Sequence, residues 1–467
     1  MNPRVFIFWS LLAVVTLAPL PFGSNRPWSW SLLSLSIGLF VLFWAIAAFR
    51  DRRLILIEWQ RARLILVPFS LLVLWFLVQA SGLTPEIWDH PFWKDASNAL
   101  GMPLAGAISL NPEASHTALM RLLAYGGVFW LAFQFGRHEK HTKQIFWAIA
   151  IAGTLYALYG LAAHLSGSEK ILWYQKWAYK NSLTSTFVNR NNYATYAGIT
   201  LIATLTLLLA EIRHVLRYSP ISSGDVLGFF DACGFRFYYL IATAGTIFTT
   251  LLLTHSRGGF LSAAIGLTAF AIVSNMRIRR RGKIFALLPI AIAGAFACGI
   301  VGAIFFVSGG QTLDRMNKGF GTTDDRLAIY EQTLTATQDA PATGIGIGAF
   351  KEGFRLYRDE DLRFYVGTVG FAHNTYLELA LEAGIPALFL IGILFSYLTL
   401  LCLLGALHRV RNALYPAAGV AITALVGTHA LVDFSLQIPA VAVTYLLLFG
   451  GACAQSWSTR AFPVEGD

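Results

Sequence analysis

The sequence predicts an all-α, polytopic membrane protein of about 12 transmembrane helices, with one large extramembrane loop between helices 9 and 10. Of its 467 residues 56% are hydrophobic and 14% aromatic. Only 13% are charged, about half the roughly 25% of an average soluble domain. Apolar runs of near-spanning length recur along the chain, and a dozen spans of about 20 residues would occupy roughly 240 residues. The mean hydropathy of +0.59 agrees. This pattern excludes a disordered chain and argues against a soluble enzyme.

The runs lie at about 5–21, 32–49, 64–81, 117–136, 144–165, 193–212, 237–254, 259–276 and 284–307, then at 381–405, 414–432 and 440–456. Each reads as a helix, because backbone polar groups in hydrocarbon must be satisfied within the segment. Arg4 ahead of the first run suits a signal peptide, but Pro19 and Pro21 follow it without a small-x-small cleavage site, so it reads as an uncleaved anchor. A short interfacial helix is expected within 221–236, where Gly224, Asp225, Phe229, Phe230 and Phe235 combine. The chain thus divides into 1–307, helices 1 to 9; 308–380, an outer loop carrying part of an active site; and 381–467, helices 10 to 12 with an inner C-terminus.

A net charge of +10 raises the question of a nucleic-acid partner. The distribution answers it. With the N-terminus inside, 20 of the 35 Lys and Arg residues fall on inner segments, including Arg50, Arg52, Arg53, Lys140, Lys143, Arg236, Arg409 and Arg460. Seven more belong to the long loop, which is exempt from the charge rule, and eight remain outside. Both termini are therefore expected in the cytoplasm, the basic residues act as topological anchors, and no nucleic acid is implied. The spans are nearly bare of charge, Arg121 being the main exception. Ion-coupled transporters and pumps usually place ionisable groups near the midplane, which disfavours a transporter or flippase. Cys233, Cys298, Cys402 and Cys453 show no disulfide framework or zinc spacing.

Polar chemistry gathers on four outer segments. His255-Ser256-Arg257-Gly258-Gly259 leaves a guanidinium at the membrane surface, readable either as an anion clamp or as a snorkelling Arg on lipid headgroups. In the long loop, Thr322, Thr323, Asp324, Asp325 and Arg326 open a helix to about Gln338; the two Asp read as first-turn and cap residues rather than paired catalytic carboxylates. Arg326 and Tyr330 share a face of that helix, and the glycines at 344, 346 and 348 read as a turn, not a nucleotide loop. His373-Asn374 stands where the loop enters helix 10, where the helix dipole favours a neutral imidazole able to take a proton. Asn374, Glu378 and Glu382 recur every four residues along one face. The fourth pairs 166–192, where Lys170, Lys176 and Lys180 interleave with Trp173, Tyr174, Trp177 and Tyr179 before Asn189-Arg190-Asn191-Asn192-Tyr193, with the turn Asp433 to Pro439.

Ser256-Arg257-Gly258, the loop arginine Arg326, and His373-Asn374 leading into Glu378, Glu382 and Gly384 together resemble the O-antigen ligase and O-antigen polymerase family. The stretches 189–193 and 433–439 also look like family features. The resemblance implies a metal-independent inverting glycosyltransferase in the bacterial inner membrane, without cofactor, acting at the periplasmic face. Its implied donor is an undecaprenyl diphosphate-linked glycan and its acceptor a glycan or lipid A core. Membrane lipids, a chain-length regulator and a flippase are implied as partners. By position, Arg257 and Arg326 would bind the diphosphate and His373 would position or deprotonate the acceptor, with Asn374, Glu378, Tyr330, Arg190 and Asp433 in support. Tyr330 stands where the family often has Trp. The 189–193 and 433–439 stretches lean toward a polymerase for O-antigen or exopolysaccharide; the alternatives are the ligase that transfers glycan to lipid A core, a lipid-linked sugar transporter, and a scaffold protein whose loop binds a partner.

Overall fold

The structure, a computed structural model, describes residues 3–218, 226–276, 324–358 and 369–457, with single positions at 294 and 299. Helix 9 of the sequence reading, most of the loop around 308–323, Arg460 and the cap at Thr322 and Thr323 lie outside the described residues.

The α-helices are α1 (Pro3–Leu17), α2 (Pro27–Arg50), α3 (Trp59–Ala80), α4 (Pro91–Leu100), α5 (Pro112–Phe135), α6 (Glu139–Leu165), α7 (Arg190–Tyr218), α8 (Val226–Ala232), α9 (Phe235–Leu253), α10 (Arg257–Asn275), α11 (Asp324–Asp339), α12 (Phe350–Tyr357), α13 (Thr375–Ala383), α14 (Ile385–His408), α15 (Leu414–His429) and α16 (Pro439–Ala454). A two-stranded hairpin, β1 (Lys170–Ile171) with β2 (Tyr174–Gln175), is the sheet among the described residues.

Eight of these helices are long and apolar enough to cross a membrane: α2, α3, α5, α6, α7, α9, α10 and α14. The expected spans 1, 11 and 12 are the shorter apolar helices α1, α15 and α16, below the roughly 20 residues of a full crossing. Within the segment 221–236 the described chain forms the seven-residue helix α8. Two boundaries also move. The stretch 190–193, read as preceding a span, is the first turn of α7. Helix 10, expected from 381, is broken at Gly384, whose φ of +83° ends α13 and lets α14 start on its own axis.

Burial ranks the helices. The window of α7 is 72% buried, and α7 packs against α6, α9, α10, α15 and α16. Its polar residues are satisfied locally: Thr204 and Thr206 donate to the carbonyls of Thr200 and Ile202 at 2.8 and 2.7 Å, as burial in an apolar medium requires. At the other extreme, only 22% of the α14 window is buried, and Phe389 and Ile393 are exposed. An apolar helix with large exposed side chains suits contact with lipid.

A second, smaller core lies where α11, α12 and α13 meet, built on Ile329, Ile345, Phe350, Phe354 and Leu381. The glycine run at 344–348 fastens it to the spans and is a turn, as its sequence suggests. Gly346 has a φ of +99°, and a Cβ there would collide with Ser109. The N–H groups of Ile345 and Gly346 donate to the carbonyls of Leu381 and Glu382, both at 2.9 Å. From the spans, Gln79 Nε2 donates to the carbonyls of Thr343 and Glu382 at 2.7 and 2.9 Å, and Trp75 Nε1 to that of Ala383 at 2.8 Å.

Candidate functional site

His373 is two residues ahead of α13 and directly precedes its N-cap, Asn374. The Asn374 side chain accepts from the N–H groups of Tyr376 and Leu377 at 3.0 and 3.2 Å, so its oxygen serves the helix end. His373 itself adopts a φ of +54°, costly for a residue with a Cβ. Its neighbours hold it there. Tyr330 donates its hydroxyl to the His373 carbonyl at 2.9 Å, and Thr375 donates N–H to Ala430 O at 2.8 Å and Oγ1 to Asp433 O at 3.0 Å.

The imidazole Nδ1 stands 3.9 Å from Asp433 Oδ1. That exceeds hydrogen-bond length, and Nδ1 is buried without a hydrogen-bond partner. The ring lies edge-on to Phe434, which also stacks with Phe371 at 4.1 Å between centroids. Asp433 is fully buried. Burial pushes its carboxyl up, but neighbouring His373 and His429 and the hydrogen bonds from Ser435 and Asn191 outweigh burial and hold it below the ordinary carboxylate value. Ser435 Oγ donates at 2.5 Å and Asn191 Nδ2 at 3.2 Å.

Asn191 links this pair to the arginines. Its Oδ1 accepts from Ser256 Oγ at 2.8 Å, and Ser256 Oγ in turn accepts from Gly259 N–H as the N-cap of α10. Gly259 is needed because a Cβ there would stand 2.5 Å from Ala194 of α7. Arg257 follows Ser256 directly and is exposed. Arg190 precedes Asn191; its guanidinium lies 5.4 Å over the Tyr179 ring and donates to Ser182 Oγ at 3.3 Å, while its Nε is buried without a hydrogen-bond partner. Arg190 also feels the charges of Arg326 and Arg257, and Tyr330 those of Arg326 and Asp433. The three arginines therefore share one electrostatic neighbourhood beside the His373–Asp433 pair. Burial pushes the Tyr330 hydroxyl up, keeping it a donor.

Glu378 and Glu382 brace the lobe through their hydrogen bonds. Glu378 accepts from Ala372 N–H and Gln437 Nε2, both at 2.7 Å, fixing the segments that carry His373 and Asp433. Glu382 accepts from Phe350 N–H at 2.9 Å. Burial raises both carboxyls, Glu378 with the added repulsion of Glu382 and Glu382 to about 7. The four-residue spacing was legible in sequence, but the direction of the face was not. The residue the sequence reading passed over is Asn191; its only signal was its place in the polar 189–193 stretch.

Residues 242–392 match the O-antigen ligase family. That match supports membership of the O-antigen ligase/polymerase family, whose members are ligase- or polymerase-type membrane enzymes. The matched segment includes Arg257, Arg326, Tyr330 and His373, whereas Arg190, Asn191 and Asp433 lie outside it and reach it through the fold. No curated protein matches the chain.

Proposed function

We propose that the chain is an inverting glycosyltransferase of the bacterial inner membrane, acting at the periplasmic face on an undecaprenyl diphosphate-linked glycan, and that it works as a polysaccharide polymerase. The observation that supports this is the shared neighbourhood of Arg190, Arg257 and Arg326 beside His373 and Asp433. Guanidinium groups fork onto phosphate oxygens, and converging like charges favour an anionic ligand.

In this reading Arg257 and Arg326 hold the diphosphate, Arg190 supports them, and His373 acts on the acceptor. Asp433, ionised and close to Nδ1, favours the tautomer that carries its proton on Nδ1 and leaves Nε2 free. The acceptor hydroxyl oxygen attacks the anomeric carbon and passes its proton to Nε2. The bond from that carbon to the diphosphate oxygen breaks, and the diphosphate departs with the bonding pair and one more negative charge. Inversion follows from the single displacement. The arginines stabilise the departing charge, and Asp433 stabilises the imidazolium.

Transfer to lipid A core is the second reading, favoured by the ligase description of the matching family. Incubating the purified protein with a lipid diphosphate glycan tests the proposal. A lengthened glycan still on its lipid marks a polymerase, and product on lipid A core marks a ligase. His373→Ala is expected to lower turnover by about 10²–10⁴-fold. Normal turnover by a folded, membrane-inserted His373→Ala protein would overturn the role given to His373.

A further inference from the structure

At the end of the molecule opposite the candidate site, the starts of α6 and α9 line an open cavity of about 560 Å³. The 27 residues of α6 extend about 40 Å at 1.5 Å per residue. Its far end meets the segment leading to Arg190, where Leu172 N–H donates to Tyr159 Oη at 2.6 Å. Likewise α9 begins beside the cavity and ends just before Ser256. Lys140, Lys143 and Arg236 line the cavity with Trp147, Phe235 and Tyr239, and among the described residues no acidic side chain takes part in its wall. The aromatic wall is ordered: Tyr239 stacks with Trp147 at 6.1 Å and with Phe235 at 6.2 Å between centroids.

A second cavity adjoins it. An apolar groove of about 670 Å³ shares Gln144 and Trp147 with the basic pocket, then runs between α1 and α6 past Leu12, Thr16, Leu155 and Tyr159. From Gln144 to Tyr159 is about 22 Å of helix. An acyl chain spans half of the roughly 30 Å hydrocarbon core, about 15 Å, so the groove accommodates one.

We propose that the two cavities form one binding site for an anionic phospholipid. The headgroup phosphate lies among Lys140, Lys143 and Arg236, the aromatic wall lies at the interface, and one acyl chain follows the α1–α6 groove. Charge alone would fit scattered topological anchors or a free phosphate. The continuous apolar groove beside the cations is what selects a lipid.

Native mass spectrometry of the full-length protein in detergent tests this, with cardiolipin, phosphatidylglycerol, phosphatidylethanolamine and inorganic diphosphate as separate probes. The two anionic lipids are expected to be retained over phosphatidylethanolamine. A triple Lys140→Gln, Lys143→Gln, Arg236→Gln variant should lose about tenfold or more of that retention. Ala13→Trp, on the exposed rim of the groove, should weaken lipid retention with all three cations intact, and single Lys143→Gln should give a smaller loss than the triple variant. Equal retention of anionic lipid and phosphatidylethanolamine, undiminished retention by the folded triple variant or by Ala13→Trp, or diphosphate binding as tight as that of the lipids would overturn the proposal.

Discussion

His373 combines two features that rarely occur together by chance of packing: a left-handed backbone at a residue with a Cβ, and a buried ring nitrogen without a hydrogen-bond partner. A left-handed non-glycine residue costs roughly 1–3 kcal/mol, and the bonds from Tyr330 and Thr375 offset it. Asp433 is the residue on which the geometry turns, since it faces the imidazole and receives Ser435 and Asn191. Its carboxyl is held below its ordinary value, so its native pKa lies under the unfolded one of about 3.9. The stability it contributes is therefore present above that unfolded value and is lost as pH falls through the lower native one. Asp433→Asn should lower the thermal midpoint most at neutral pH, with the gap to the native protein narrowing as pH falls below about 4. A gap independent of pH would contradict an ionised Asp433. The same variant should lose turnover with little change in donor affinity, because Asp433 acts through His373 and not on the diphosphate.

At the scale of elements, the join between the small lobe and the spans decides whether Arg326 and His373 meet the arginines of α7 and α10. Gln79 is the main fastener: it donates to two lobe carbonyls and accepts from Ile347 N–H at 3.3 Å. Gln79→Ala removes these bonds and leaves buried backbone groups unpaired, an expected loss of about 2–4 kcal/mol. Thermal unfolding in detergent would reveal it, together with faster proteolysis of the lobe. Glu382 gives a pH-dependent counterpart. Its native pKa of about 7 is raised above the unfolded carboxylate value of about 4.3. Its contribution is thus full below that unfolded value and is lost as pH rises through about 7. Glu382→Gln keeps an oxygen for Phe350 N–H, and its stability relative to the native protein should rise between pH 5 and pH 8. A constant difference across that range would show that Glu382 does not ionise there.

For the whole molecule, the site lies at one end of the helices and the basic pocket at the other. Trp173 and Val410 are exposed at these opposite ends, 79% and 86% accessible. In a cysteine-free background, Trp173→Cys should react with an impermeant thiol reagent from outside intact spheroplasts, and Val410→Cys only after permeabilisation; the reverse pattern would invert the assigned orientation. The apolar runs, the basic segments and the short motifs that carry Arg257, Arg326 and His373 were legible in the sequence, because hydropathy, charge pattern and motifs are local properties of the chain. The broken helix at Gly384 and the structural use of Asn374, Glu378 and Glu382 were not. A periodic spacing names a helix face without saying what that face meets. Asn191 shows the limit most clearly: its partners are Ser256, 65 residues away, and Asp433, 242 residues away. The sequence by itself determined a helical membrane chain and which cations and histidine it offers to one face. Only the tertiary structure decided that α7, the turn after α15 and the family-matched segment converge, because hydrogen-bond partners so distant in the chain are chosen by helix packing and leave no periodic trace in sequence.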